Sequence, residues 1–227
     1  MDYTKLAELL GILLGDGNLN KNSNCITIVG SSEEKGYYEK HVIPLVKSLF
    51  NVNPKLRKRN DRNAFYLDIN SKKMMDYLSK DIGLVRGNKV NATVPQIIKN
   101  NPGLISHFLG GLFDTDGCLK FSKQTKKTNY YPRIRIALKQ SKLALEVGEL
   151  IKTLKFKSSC CNDKRTGVIT YEISGKDNLT RWVKIIGINN PVQKTKYLVW
   201  KKTGFYTPRS SLESRLKALD LKKDSIL

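Results

Sequence analysis

Two stretches of this chain carry closely similar text 100 residues apart, and each ends in Asp-Gly. Leu9-Leu10-Gly11-Ile12-Leu13-Leu14-Gly15-Asp16-Gly17 lies near the N-terminus, and Leu109-Gly110-Gly111-Leu112-Phe113-Asp114-Thr115-Asp116-Gly117 lies at mid-chain. A motif used once per half predicts two similar units facing each other across a pseudo-twofold axis that passes near Asp16 and Asp116. Read as helices, the motifs place Gly11 and Gly15 on one face, and Gly111 and Thr115 likewise. Small residues at that spacing let two backbones approach closely. A plain buried helix closed by a C-cap glycine, Gly17 or Gly117, accounts for the apolar residues but not for the acid.

That acid stands at the negative end of the helix dipole, where a cation is favoured. If the helices pair, two such carboxylates meet, and like charges ~4 Å apart repel by about 4 kcal/mol at an effective dielectric of 20. A site that keeps both needs a cation. An all-oxygen donor set suits Mg²⁺, which takes one or two carboxylates together with phosphate oxygens and water. The rest of the chain supplies the context. Lys and Arg number 41 against 20 acids, for a net charge of +21 and a pI near 9.8. Such a cation calls for a polyanion, and nucleic acid is the first candidate. A phosphodiester is then the natural substrate.

The duplication extends beyond the motifs. Cys25–Val29 aligns with Arg135–Lys139 at a spacing of 110, and an amphipathic helix follows each, opened by Ser31 with Glu34 as a capping box and by Ser141. Two more strands are expected in each half, at about 54–59 and 64–69 and at about 155–161 and 168–173. Ile82-Gly83-Leu84 matches Ile186-Gly187-Ile188 at a spacing of 104, and Asn88-Lys89-Val90 matches Gln193-Lys194-Thr195. The expected fold is α+β, a duplicated αββαββα unit. The expected units are 1–100, 101–203 and a C-terminal helix and tail at 204–227, where Ser210 to Glu213 reads as another capping box. Pro95 to Pro102 is too short to be a flexible tether, so the halves should pack together.

Other classes fit poorly. No apolar run approaches the ~20 residues that span a bilayer, and no secretion signal leads the chain, so an intracellular, cytoplasmic or organellar location is expected rather than secretion or a membrane. The starting Met favours a free-standing or intron-encoded protein. Four cysteines without paired Cys-x-x-Cys elements and only two histidines argue against structural zinc and against a disulfide framework.

Both motifs resemble the signature of the LAGLIDADG homing endonucleases in their single-chain, two-motif form. The likeness runs over about residues 4–200. It implies a monomer with internal pseudo-twofold symmetry, a central interface of the two motif helices, and two antiparallel sheets forming a saddle on double-stranded DNA. It also implies metal held by Asp16 and Asp116 with Gly15 and Thr115 beside them, Mg²⁺ as cofactor, Mn²⁺ as its substitute, and Ca²⁺ as an ion that binds without cleavage. The family's basic and amide side chains around metal-bound water fall on Lys139 and Gln140, and on Lys89 and Lys194. In the first repeat Val29 and Gly30 stand in the place of Lys139 and Gln140, so the site is expected to be asymmetric. Asp114 is expected to play a structural part.

On the saddle, Arg133, Arg135 and Lys139 alternate with Ile134, Ile136 and Leu138, and Lys55, Arg57 and Arg59 form a basic row. Asn18, Asn20, Asn22 and Asn24 suit two-point pairing with adenine. With Thr27 in the first half and Lys120, Ser122 and Gln124 in the second, these are the candidate DNA contacts. Affinity for DNA should fall roughly 10³-fold over a fourfold rise in salt if six or more phosphates are neutralised. The competing readings are an RNA maturase that binds intron RNA and a cleavage-inactive DNA-binding protein. Neither needs both acids.

Overall fold

The computed structural model describes residues 1–58, 63–222 and 226. Each half begins with its motif helix. In the first, α1 (Tyr3–Gly15) is capped by the Asp2 carboxylate, which accepts from the Thr4 and Lys5 N–H groups. Then come β1 (Gly17–Leu19) and β2 (Cys25–Ser31), with α2 (Lys35–Tyr37) running through a π-helical turn into α3 (Ile43–Phe50). β3 (Lys55–Lys58), β4 (Ala64–Asn70) and α4 (Lys72–Asp76) complete the half. After the short α5 (Gln96–Lys99), the second half repeats the order: α6 (Pro102–Asp116), β5 (Gly117–Ser122), β6 (Tyr131–Lys139), α7 (Lys142–Thr153), β7 (Ser159–Asp163), β8 (Val168–Ser174) and α8 (Lys176–Ile185). α9 (Pro191–Thr203) and α10 (Leu212–Leu219) follow. The strand expected from 155 starts at Ser159, because Phe156 is drawn into the core beside Trp182.

Both sheets are four-stranded and antiparallel, ordered β1-β2-β4-β3 and β5-β6-β8-β7. Alternation assigns their faces. Ile26, Ile28, Leu67 and Ile69 in one sheet, and Ile134, Ile136, Ile169 and Ile173 in the other, are buried in one common core. The polar residues between them form the opposite face.

Register corrects the alignment of the repeats. Gly17 pairs with Ile28 and Gly117 with Ile136, so equivalent positions of β2 and β6 lie 108 apart, not 110. Ser31 opposite Ala64 and Lys139 opposite Val168 agree with this. The first-half positions matching Lys139 and Gln140 are therefore Ser31 and Ser32, not Val29 and Gly30. A slip of two preserves which face each residue takes, so hydrophobic alternation is blind to it.

α1 and α6 pack along their motifs at the centre. A Cβ on Gly11 would overlap the Phe108 carbonyl oxygen and stand 2.7 Å from the Leu112 nitrogen; one on Gly111 would overlap the Glu8 carbonyl. Gly15 lies against the Thr115 hydroxyl in the same way. Gly17 and Gly117 are not left-handed caps. Gly117 is extended (φ −87°, ψ 155°), and both glycines are required because the strand leaves so close to its helix that a Cβ would strike Leu13 or Phe113. Ser31 and Glu34 form the expected capping box, and Ser141 caps α7 through the Ala144 N–H. At α10 the expected box is not formed, since Ser211 accepts from the Ser214 N–H.

Candidate active site and DNA face

Pairing the helices brings Asp16 and Asp116 together at their C-terminal ends, where β1 and β5 begin. Both are partly buried. Burial pushes the Asp16 carboxyl up to about 7, and the charges of Asp116 and Glu34 add to this, against the opposing pull of Lys89. Burial likewise raises Asp116, again opposed by Lys89. Two desolvated, mutually repelling carboxylates at the negative ends of two helix dipoles are a donor set that fits a hard divalent cation. Among the described residues no group of three or more His, Cys, Asp or Glu is placed to hold a metal.

Lys89 opens a 3₁₀ turn and donates to the carbonyls of Leu14 (2.9 Å) and Gly15 (2.6 Å), closing the C-terminus of α1 with a cation. Burial lowers its pKa, and the two aspartates oppose that shift. The Gly15 carbonyl, a candidate metal ligand by sequence, is thus engaged by an ammonium. Thr115 spends its hydroxyl on the Gly111 and Leu112 carbonyls, at 3.2 and 3.0 Å. Asp116, Lys89, Lys139 and Gln140 line one cleft of about 570 Å³ that also includes Gly15 and Leu138. A lysine of the first half therefore joins the acid of the second.

Lys194 is not placed with them. Both the turn at Lys89 and helix α9 begin on an asparagine N-cap, Asn88 and Asn190, and the position after the second cap is Pro191. Three residues further on, the Lys194 ammonium donates to the Ile226 carbonyl at 2.7 Å.

Asp114 is fully buried and clamps the chain ahead of α9. Its carboxylate accepts from the Asn189 and Asn190 N–H groups at 3.0 Å each, and its own carbonyl accepts from the Asn190 amide. Burial raises its pKa to about 7 against those bonds. This clamp belongs to a polar seam between the halves that the sequence did not reveal. Asn189 also donates to Glu8, Asn190 donates to Glu34, and Glu8 pairs with His41 at 2.6 Å. Burial disfavours the charged His41 ring, but the Glu8 bond and charge prevail and raise its pKa. Asn190-Pro191 is a legible helix start; its partners, about 75 and 156 residues away, are not.

On the outward sheet faces, two further acids organise the bases. In the first sheet Arg57 pairs with Asp68, which also accepts from Thr27 at 3.0 Å. In the second, Arg133 pairs with Glu172, Arg135 lies 3.4 Å from it, and Arg133 donates to Ser122 at 3.0 Å. Arg57 and Thr27 are thus preset by an acid, and the basic row was incomplete without Asp68. Lys55, Lys120, Asn18, Asn22 and Asn24 are exposed, as is Gln124 in a left-handed turn (φ 48°). Asn20 instead holds the β1–β2 hairpin, accepting from the Asn22 and Ser23 N–H groups. Arg59 lies outside the described residues.

Comparison with known proteins follows the same lines. Residues 104–187 match the profile of the LAGLIDADG-like domain. The fold is shared with single-chain homing endonucleases. A variant of I-DmoI superposes with a TM-score of 0.58 at 21% identity, covering 82% of this chain and 96% of that one. I-DmoI in complex with DNA and Mn gives 0.56 at 22% identity over 82% and 97%, and a mutant of I-SmaMI 0.57 at 11% over 87% and 90%. The family match thus lies in the second half, and the fold shared with these structures spans both halves. About half of it also resembles segments of two Methanocaldococcus jannaschii proteins. One is a glutamine–fructose-6-phosphate aminotransferase, 26% identical over 117 residues, 51% of this chain and 10% of that protein. The other is a replication factor C small subunit, 35% identical over 119 residues, 51% of this chain and 6% of that protein. The chain spans a tenth or less of the length of these relatives. No described helix is long and apolar enough to cross a membrane.

Proposed function

We propose that this chain is a site-specific endonuclease that hydrolyses both strands of a long, asymmetric double-stranded DNA site, acting as a monomer with a divalent cation. The observation that carries the reading is the pair Asp16 and Asp116, brought together where the two motif helices end and raised in pKa by burial. Binding and regulation alone do not require that unfavourable pair.

Asp16 and Asp116 hold the cation, Mg²⁺ by preference and Mn²⁺ as substitute, while Ca²⁺ binds without cleavage. When bound, it supplies an activated water and stabilises the leaving oxygen. The protein's own residues do the rest. Lys89 offsets the charge of both acids and fixes the end of α1. Lys139 and Gln140, across the cleft from Lys89, orient water and phosphate at the Asp116 side. Arg57, Arg133 and Arg135, held by Asp68 and Glu172, present forks to guanine edges or backbone phosphates. The DNA and Mn complex of I-DmoI, a protein of the same fold, supports this reading.

The test is cleavage of a randomised duplex library with Mg²⁺. Wild type is expected to cut a defined site, and Asp16→Asn and Asp116→Asn each to lose double-strand cutting by at least about 10³-fold while DNA binding persists. Sequence-specific binding without metal-dependent cutting by wild type would make the chain a cleavage-inactive DNA-binding protein, and selective binding of intron RNA would make it a maturase.

A further inference from the structure

On the outward face of each sheet, the row level with the paired acids carries no charge on its central strand. Gly17 pairs with Ile28 and Gly117 with Ile136, so the next outward residues of β2 and β6, Val29 and Ala137, fall level with Asp16 and Asp116. They hold equivalent places in the two halves. Across the second sheet Ala137 pairs with Thr170, and Thr170 with Cys161. In the first, Val29 pairs with Tyr66, and Arg57 on the far side of Tyr66 is engaged by Asp68. Along β6 the row stands between Lys139, which lines the cleft with Asp116, and Arg135, which faces Glu172.

Folding does not account for this row. Ala137 is exposed, so its methyl group adds little to the core, and strands favour β-branched or aromatic residues over Ala. Val29 and Thr170 are half-buried on the same outward faces. What Val29, Ala137 and Thr170 share is a methyl group and no charge to attract a phosphate. Of the groups that base pairs show in the major groove, the 5-methyl of thymine is the apolar one, and Ala and Thr methyls are its usual contacts. One step further out the halves cease to match: Thr27, bonded to Asp68, stands where the second half has Arg135. Successive outward residues of a strand are about 6.8 Å apart, close to the rise of two base pairs.

We propose that Val29 in the first half, and Ala137 with Thr170 in the second, select a thymine equally far from the centre in each half-site, by contact with its 5-methyl group in the major groove. The two half-sites then agree at this thymine and diverge about two base pairs beyond it. The proposal rests on the DNA-binding part of the reading above and not on cleavage.

The test begins with selection from a randomised duplex library by binding of the full chain in Ca²⁺, so that no cutting is required. Thymine should be enriched at one position in each half-site, symmetric about the centre. Replacing that thymine by deoxyuridine removes the methyl group alone, and wild type should bind the replaced duplex about fourfold more weakly per half-site, the worth of one buried methyl. Ala137→Gly with Thr170→Ser should bind the two duplexes equally where the second half-site is changed and still distinguish them where the first is. Val29→Ser should do the reverse. Each variant is thereby its own control for folding, since the unaltered half must still discriminate. No enrichment of thymine, equal binding of both duplexes by wild type, or discrimination unmoved by the substitutions overturns the proposal. Selection of the thymines by a protein that never cuts DNA overturns the nuclease reading and supports this one.

Discussion

The two halves share a backbone plan and differ in what surrounds their carboxylates. Asp116 faces a cleft with Lys89, Lys139 and Gln140. Asp16 has Glu34 close enough to raise its pKa further, and the sheet positions equivalent to Lys139 and Gln140 are Ser31 and Ser32. Ser31 is committed to the Glu34 capping box at 2.8 Å. The duplication therefore kept the parts that build the axis, Gly11 and Gly111 with the two acids, and let the flanking bases diverge. At Gly11 and Gly111 the helix contact leaves no room for a Cβ, whereas an exposed strand end tolerates many side chains.

That contrast can be broken from the shared side first. Gly111→Val drives a side chain into the Glu8 carbonyl across the axis. It is expected to destabilise the fold by about 4 kcal/mol or more, on the order of the worst core substitutions, and to abolish cooperative unfolding in a denaturant titration. The next largest effect separates the halves. On a strand-labelled duplex, Lys139→Ala should slow the cut at the Asp116 side by about 10²-fold and leave the other strand nearly unchanged, so nicked DNA accumulates. Equal loss on both strands would show that the two centres act as one. Lys89→Met removes the cation that opposes both raised carboxyls, so the pH–rate profiles of both strands should move to higher pH by up to about one unit.

The smallest effect is on stability. Asp114 has a folded pKa of about 7 against an ordinary carboxyl value of 3.8. A group raised in this way contributes its full stability below the unfolded value and loses it as pH rises through the folded one. In chelator, Tm should fall between about pH 4 and pH 8, and His41, also raised, adds to the fall above its ordinary value of 6.5. Asp114→Asn, which keeps an acceptor for the Asn189 and Asn190 N–H groups, should flatten the slope and lift Tm at about pH 8 by roughly 2–4 °C.

Much of this is legible in the residues alone, for local reasons. Period-two alternation assigns the buried and basic faces of Arg133–Lys139, and small residues at helical spacing locate the contact between α1 and α6. Asp68 and Glu172 are not legible, because an acid in a strand says nothing of the arginine it faces on the next one. The seam from Glu8 and His41 through Asn189 to Asp114 is hidden for the same reason, its members being scattered over the whole chain. The Lys194 ammonium donates to the Ile226 carbonyl, a partner 32 residues further on that its short sequence match does not announce.

The duplicated α+β plan, the glycine-lined axis and the two acids at its end can all be read along the chain, because they follow from periodicity, side-chain size and charge. Register, the meeting of Lys89 with Asp116 and the place of Val29 and Ala137 level with the two acids emerge only in the folded molecule. A two-residue slip leaves every face unchanged, and a charge takes its meaning from neighbours that folding, not sequence order, brings within reach.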